Sequence, residues 1–167
     1  MKLTWLGHSA FRFEAGDSVV LIDPFLKGNP SFTGDFDKTI AGATHVIVTH
    51  GHDDHVGDAA EIARNTGAQI VSNYEICMFL NAQGAQNVNP GNTGGTFSCG
   101  EFKVSLTPAL HSSSTIVDGK TIYLGNPNGV VIDHPNAPTI FHFGDTDVFS
   151  DMALIEELYK PRIGLVP

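Results

Sequence analysis

Three histidines and two aspartates lie within the six positions 50–55, in the segment Thr49-His50-Gly51-His52-Asp53-Asp54-His55. Imidazole and carboxylate groups are ligands for divalent metals such as Zn²⁺, Fe²⁺ and Mn²⁺. His50 and His52 are two positions apart, so in extended backbone their side chains project to the same side and can converge on one ion. A solvated polar loop explains this composition poorly, because loops are usually built from Gly, Asn, Ser and Pro.

The elements around this segment favour a functional site. Residues 44–49 are β-branched and nearly continuously apolar, which predicts a buried strand. After the segment, apolar residues recur at helical spacing over residues 56–63, and Gly67 is a stop signal. In α/β sheets, sites lie at the carboxyl ends of strands. Because Asp54 and His55 fall where the chain bends into the helix, they can point to a neighbouring position, and the segment divides into two sets of ligands.

The rest of the pattern is typical of an α/β domain, with a β-α-β-α passage followed by strands. Asn73 is a candidate helix cap, Ser150 another, and Asp118-Gly119 predicts a hairpin turn. The chain has no internal repeat and no linker. The further predicted strands are residues 3–6, 10–14, 18–22, 70–71, 102–106, 115–117, 121–124, 130–132, 139–143 and 161–167, the predicted helices are 73–83 and 151–159, and 27–38 is a predicted loop.

Length and charge exclude several classes of protein. The 167 residues suggest one domain, and 41% hydrophobic residues exclude a disordered chain. No apolar stretch approaches the ~18–20 residues that span a bilayer. Nine basic against eighteen acidic residues give a net charge of −9. We therefore expect no nucleic-acid partner and no membrane partner, since both present phosphate charge.

The cysteines and the N-terminus suggest a reducing compartment. Cys77 and Cys99 form no C-x-x-C pair, and two thiols make no disulfide framework. We interpret both as small buried hydrophobic residues. The N-terminus runs straight into an apolar strand pattern without the features of a signal peptide. We expect a cytoplasmic protein.

The pattern His-x-His-x-Asp-His over residues 50–55 resembles the signature of the metallo-β-lactamase superfamily. The segments Leu6-Gly7-His8-Ser9-Ala10-Phe11 and Leu21-Ile22-Asp23-Pro24-Phe25 are similar to its subgroup of predicted metal-dependent hydrolases (UPF0173-like). His142-Phe143-Gly144-Asp145-Thr146 resembles a later superfamily motif. The resemblance covers nearly the whole chain. It implies one domain over residues 1–167 with the αβ/βα sandwich fold, an α/β architecture of two mixed sheets face to face with helices outside.

The resemblance also implies the metal ligands. His111, which follows the strand at 102–107, matches the third histidine of the first metal, beside His50 and His52. Asp54 and His55 would hold the second metal, and Asp145 would bridge both. The expected cofactor is a pair of divalent ions, Zn²⁺ first, with Mn²⁺ or Fe²⁺ as alternatives.

Other residues are candidates for catalytic, orienting or structural roles. Asp54 and His8 are the candidate catalytic residues, and His8 is either an active-site acid or an outer-shell group. Asp23 could orient a metal-binding histidine through its second ring nitrogen. Asp53 occupies the variable position of the motif, and we expect it not to touch metal. His45 and His134 are expected to be structural.

The implied activity is hydrolysis by a metal-bound hydroxide, acting on an ester, lactone, thioester, β-lactam or phosphodiester. The acidic charge balance favours a small-molecule substrate over a nucleic acid. A different class of function stays open, namely a metal-binding sensor or scaffold on the same fold without turnover.

The end of the chain raises one more expectation. The superfamily completes its second metal site with a histidine after a later strand, and no histidine follows His142 here. Residues 161–167 read as a buried strand. We therefore expect the domain to continue beyond Pro167. We also expect this chain alone to expose an apolar surface and an unpaired strand edge, which favour a homo-oligomer.

Overall fold

Two β-sheets pack face to face, with helices on their outer faces, in the computed structural model, which describes residues 1–167. This confirms the expected sandwich. None of the five helices combines the length and the apolar character needed to cross a membrane.

The strands are β1 Lys2–Trp5, β2 Phe11–Ala15, β3 Ser18–Ile22, β4 His45–Ile47, β5 Gln69–Asn73, β6 Val88–Gly91, β7 Thr96–Cys99, β8 Phe102–Pro108, β9 Ser114–Val117, β10 Lys120–Tyr123, β11 Asn128–Asp133, β12 Ile140–His142 and β13 Ile163–Leu165. The helices are α1 Phe36–Ile40, α2 Asp53–Val56, α3 Ala59–Thr66, α4 Tyr74–Ala82 and α5 Met152–Tyr159.

The first sheet has the strand order β1-β2-β3-β4-β5-β6, and β3 to β6 are mutually parallel. Its two faces bury different layers, because successive strand residues point to opposite sides. On β3, Val20 and Ile22 belong to the core between the two sheets, while Leu21 belongs to the core under the helices. A strand buried on both faces needs apolar residues at nearly every position, which explains the apolar sequence of β3.

The second sheet has the order β13-β12-β11-β8-β7, and β9 and β10 form a separate two-stranded hairpin. β8 and β12 both run antiparallel to β11, so their carboxyl ends lie at the same edge. On the other side of this sheet, α5 packs through the buried Ile155 against Val131 and Phe141. The carboxyl ends of β1, β3, β4, β8 and β12 together form one end of the sandwich.

The helix predicted over residues 56–63 is broken in the structure. α2 ends before Gly57 and α3 starts at Ala59. Gly57 has a φ of +45°, and a Cβ atom there would lie 2.6 Å from the Cα atom of Phe25. Only glycine fits both conditions, and the resulting turn reorients the chain between the histidine segment and α3. Continuous apolar spacing across residues 56–63 concealed this break.

Two other predictions are wrong in detail. The predicted loop at 27–38 contains the start of α1, whose first turn is capped by Asp35 accepting from the Lys38 amide. Ser150 does not cap α5; Asp151 occupies that position without a side-chain capping bond.

Other local predictions are confirmed. Asn73 caps α4 by accepting from the Ile76 amide. Asp118 and Gly119 both have positive φ in the β9–β10 turn, as a two-residue hairpin of this type requires. Cys77 and Cys99 are free and buried in different core layers. Burial raises the pKa of the two thiols to about 12 and about 11, so neither is reactive.

Glu101 joins the two sheets at the end opposite the histidine segment. Its Oε1 atom accepts from the Asp17 amide and from the Ser18 hydroxyl, both at 2.9 Å, in the β2–β3 turn. It also lies 3.4 Å from Nε2 of the buried His134. The hydroxyl of Ser18 is the main reason that the pKa of Glu101 lies below its usual value.

We expect Glu101→Gln to lower the free energy of unfolding at neutral pH, because the charged carboxylate is a better acceptor than an amide. A lowered folded-state pKa stabilises the protein above the usual glutamate pKa of about 4.3 and loses this effect as pH falls through the folded value. Urea titrations at several pH values should show that the difference in the free energy of unfolding between wild type and variant closes in acid.

Glu156→Gln, at an exposed position of α5, is the matched control. A gap of equal size at neutral pH and at about pH 3 would contradict the expectation.

Candidate metal centre

Loops from both sheets meet at one end of the sandwich. The first sheet contributes the segment after β4, with His50, His52, Asp54 and His55. The second sheet contributes the residues after β8 and β12, which include His111 and Asp145.

The first group of donors consists of His50, His52 and His111. One ligand atom from each of the three lies within 4.8 Å of the others. The Nε2 atom of His50 and the Nδ1 atom of His52 are 3.1 Å apart. Two nitrogens bound at ~2.0–2.1 Å to one tetrahedral ion lie roughly 3.4 Å apart. The spacing of the two nitrogens therefore fits a shared cation.

The second group consists of Asp54 and His55 together with His8. Their ligand atoms also lie within 4.8 Å of one another. His8 comes from the turn between β1 and β2, and its Nε2 atom lies 3.1 Å from Oδ2 of Asp54. The His8 side chain is partly exposed, whereas that of His55 is fully buried.

Asp145 stands between the two groups. Its Oδ2 atom is 3.4 Å from Nε2 of His55 and 3.8 Å from Nε2 of His111. One carboxylate oxygen thus faces a histidine of each group. The chain turns into this position at Gly144, whose φ is +64° and where a Cβ atom would lie 2.5 Å from the carbonyl oxygen of Asn128.

Asp23 and Thr49 determine which ring nitrogens carry protons. The Asp23 carboxylate is fully buried and accepts from the Thr49 amide at 2.8 Å, the Thr49 hydroxyl at 2.7 Å and His55 Nδ1 at 2.8 Å. Because the Thr49 hydroxyl gives its one hydrogen to Asp23, its oxygen accepts from His50 Nδ1 at 3.0 Å. In the neutral form of both imidazoles, the remaining proton therefore sits on Nδ1 and the Nε2 lone pair faces the site.

The charges in this network follow from burial and proximity. Burial lowers the pKa of His50 to about 3, helped by the neighbouring His55, so the His50 ring is neutral at ordinary pH. Burial alone would raise the pKa of Asp23, but the charge and the hydrogen bond of His55 outweigh it and bring the value to about 2. Burial alone would lower the pKa of His55, and the adjacent Asp23 outweighs it in turn and raises the value.

The Nε2 atom of His55 tests whether a metal fits. It is buried and has no hydrogen-bond partner in the protein. A buried polar nitrogen without a partner is costly, and a cation would satisfy it. The donors around it are imidazole nitrogens and carboxylate oxygens, the set that suits a divalent transition metal. The residues fit such an ion.

Several neighbouring residues form hydrogen bonds with the histidine segment (residues 50–55) but belong to none of the donor groups. The Gly51 amide donates to Ser113 Oγ at 3.0 Å, and Ser112 Oγ lies 3.0 Å from His52 Nε2. Asp53 accepts from the Thr115 hydroxyl on β9 and belongs to none of the donor groups.

The structure thus brings every predicted ligand into one place, along with His8 and Asp23. His45 and His134 lie outside the donor groups: the His45 ring packs on Phe102 and His134 faces Glu101. Thr49 was not predicted as part of the site, because a threonine at the end of a β-branched run is typical of a strand. Ser112 and Ser113 were not predicted either, since the sequence contains no specific signal for them.

A cavity of about 450 Å³ opens beside the second group. His8 and Asp145 form part of its wall, and Trp5 and Phe11 add aromatic surface. Ser9, His142 and residues 165–167 complete the lining. A small molecule in this space would contact both the polar and the aromatic walls.

Comparisons with known proteins identify the family and the fold of this chain. Residues 19–167 match the family model described as Beta-lactamase superfamily domain. A protein of Methylocella silvestris named UPF0173 metal-dependent hydrolase is 65% identical over 167 residues, which cover 100% of this chain and 72% of that protein. A relative from Mesorhizobium japonicum with the same family name is 56% identical over 170 residues, covering 100% of this chain and 72% of the relative.

A solved structure shares the architecture. Igni18, described as a novel metallo hydrolase from the archaeon Ignicoccus hospitalis, superposes with a TM-score of 0.82 at 35% sequence identity. The match covers 97% of this chain and 68% of the Igni18 chain. The sandwich and the family assignment therefore rest on both sequence and structure.

We expect Asp23→Asn to weaken Zn²⁺ binding by ~10–100-fold, the usual cost of removing a partner that orients metal ligands. An amide offers one acceptor oxygen where the carboxylate offers two, so His55 or Thr49 loses its partner. Competition with a chromophoric chelator measures the affinity. Asp133→Asn, at the exposed end of β11, is the matched control, and equal affinities for the two variants would contradict the expectation.

Proposed function

The chain belongs to the metallo-β-lactamase superfamily and, within it, to the UPF0173 metal-dependent hydrolases, and from this membership we propose that it hydrolyses a small-molecule substrate with the help of bound divalent cations. Zn²⁺ is the proposed ion, since imidazole and carboxylate donors suit it. The residues that would hold the ions are His50, His52, His111, Asp54, His55 and Asp145.

The position of Asp145 carries the proposal of a binuclear site. Its Oδ2 atom lies within 4 Å of Nε2 of both His55 and His111. A carboxylate placed between two donor groups can offset the repulsion between two cations. Paired cations supply Lewis acidity, which lowers the pKa of water and polarises a carbonyl or phosphoryl group.

The protein's own residues supply binding and proton transfer. His8 is the proposed proton donor, because it lines the cavity and its Nε2 atom lies 3.1 Å from Oδ2 of Asp54. From there the imidazole can pass a proton to a leaving group. Trp5 and Phe11 would hold an apolar part of the substrate and exclude water around the reacting bond.

Substrate class is proposed from size and charge. The cavity of about 450 Å³ suits a small molecule. The net charge of −9 weighs against a nucleic-acid substrate. Esters, lactones, thioesters and phosphodiesters are the candidate substrates.

We expect the chain loaded with Zn²⁺, Mn²⁺ or Fe²⁺ to hydrolyse at least one chromogenic member of a panel of these four classes, and chelation to abolish the turnover. Metal analysis of the same samples gives the number of ions per chain. Bound metal without turnover on the whole panel would favour the non-catalytic sensor or scaffold. Absence of bound metal would contradict both functions.

We expect Asp145→Ala to lower turnover at least about 100-fold, equivalent to about 2.7 kcal/mol, while the fold persists. Loss of the bridging carboxylate should weaken binding of the second ion most. Turnover, metal content and circular dichroism are compared with those of Asp37→Ala, an exposed position on α1. Unchanged turnover and unchanged metal content would exclude the bridging role.

A further inference from the structure

His142 is a buried histidine to which the proposed chemistry assigns no role. It is the last residue of β12, only 2% exposed, and stands three positions before Asp145. It belongs to none of the donor groups around the candidate metal centre. A buried imidazole so close to the site needs an explanation.

The two ring nitrogens of His142 have opposite hydrogen-bonding roles. Nδ1 accepts the Gly144 amide hydrogen at 3.0 Å, and Nε2 lies 3.0 Å from the carbonyl oxygen of Ser9. An amide can only donate and a carbonyl can only accept, so the ring carries its proton on Nε2. One tautomer of His142 therefore satisfies both contacts.

The two contacts link the turn that carries Asp145 to the turn that carries His8. Gly144 precedes Asp145 on the second sheet, whereas Ser9 follows His8 on the first. The rings of Phe11 and His142 pack in a T-shaped arrangement at a centroid distance of 5.6 Å, which restrains the imidazole further. A single side chain thus couples the group that would carry the proton to the carboxylate that would bridge the metals.

The His8 turn needs such restraint. His8 has a φ of +51°, which is uncommon for a residue with a side chain. The Trp5 indole donates to the His8 carbonyl at 2.7 Å from one side, and His142 binds the next carbonyl from the other. Residues in such conformations persist when their surroundings over-determine them.

We propose that His142 is a positioning residue that sets the placement of His8 relative to Asp145. The inference rests on the proposed hydrolase function and deepens it. The Nε2 contact fixes the His8 turn, and the Nδ1 contact fixes the Asp145 turn. The two contacts therefore have separable consequences.

Two substitutions separate them. His142→Asn keeps an acceptor near the place of Nδ1 and loses the donor to Ser9, while His142→Gln keeps a donor near the place of Nε2 and loses the acceptor for Gly144. We expect the asparagine variant to bind Zn²⁺ as the wild type does but to show a kcat at least about tenfold lower with little change in KM. We expect the glutamine variant to bind Zn²⁺ about tenfold more weakly.

Amide hydrogen exchange gives a readout that is independent of turnover. The Ala10 amide donates to the Gly7 carbonyl at 3.0 Å and closes the His8 turn. Its exchange should accelerate in His142→Asn and stay close to the wild-type rate in His142→Gln. In a His8→Ala background, adding His142→Asn should lower kcat no further, because residues that act through one another are not additive.

His134 provides the matched control. It is equally buried, and its Nδ1 atom likewise accepts an amide two residues ahead, from Asn136 at 3.0 Å, but at the opposite end of the sandwich. The same two substitutions there should change stability alone. If the His142 variants also change only stability, the inference is wrong. If the wild type hydrolyses nothing in the panel, the hydrolase proposal fails, while exchange and Zn²⁺ affinity still decide the role of His142.

Discussion

The buried carboxylate of Asp23 is the interaction on which the geometry of the metal centre depends. A buried charge is costly unless its oxygens are satisfied, and here they accept three hydrogen bonds from Thr49 and His55. Those bonds tie the end of β3 to the end of β4 and to the first turn of α2. Asp23 and Thr49 also hold the Nδ1 protons of His55 and His50, which leaves the Nε2 lone pairs of the neutral rings free to bind a metal ion. Anchoring and ligand chemistry thus follow from one side chain.

The site is divided between the two sheets, so the core between them sets its dimensions. The histidine segment and the His8 turn belong to the first sheet, while His111 and Asp145 belong to the second. Residues such as Phe13 and Leu106 fill the space between the sheets and are fully buried. Close-packed interiors transmit small displacements. A change of volume in this layer would therefore shift one donor group against the other, even far from any ligand.

The sequence predicted the parts of the site that are local and missed those that are not. Spacing alone placed His50 and His52 on one side of extended backbone. His111 and Asp145 lie far along the chain, and only the family resemblance connected them with the segment at 50–55. The break at Gly57 was missed because tertiary contact with Phe25, not local propensity, requires it. Thr49 was missed because its hydroxyl acts through Asp23, which follows β3 and lies far from Thr49 along the chain.

Backbone strain is concentrated where the candidate chemistry lies. Four residues other than glycine have positive φ, namely His8, Asp23, Asp118 and Lys160. Asp118 sits in a hairpin turn and Lys160 ends α5, which are ordinary places for this conformation. The His8 turn is instead held by the nearby Trp5 indole and by His142 of the second sheet, which binds the Ser9 carbonyl, and Asp23 is held by Thr49 and His55. Because strained turns relax when their restraints are removed, the tertiary hydrogen bonds around these two residues maintain an arrangement that local sequence would not adopt.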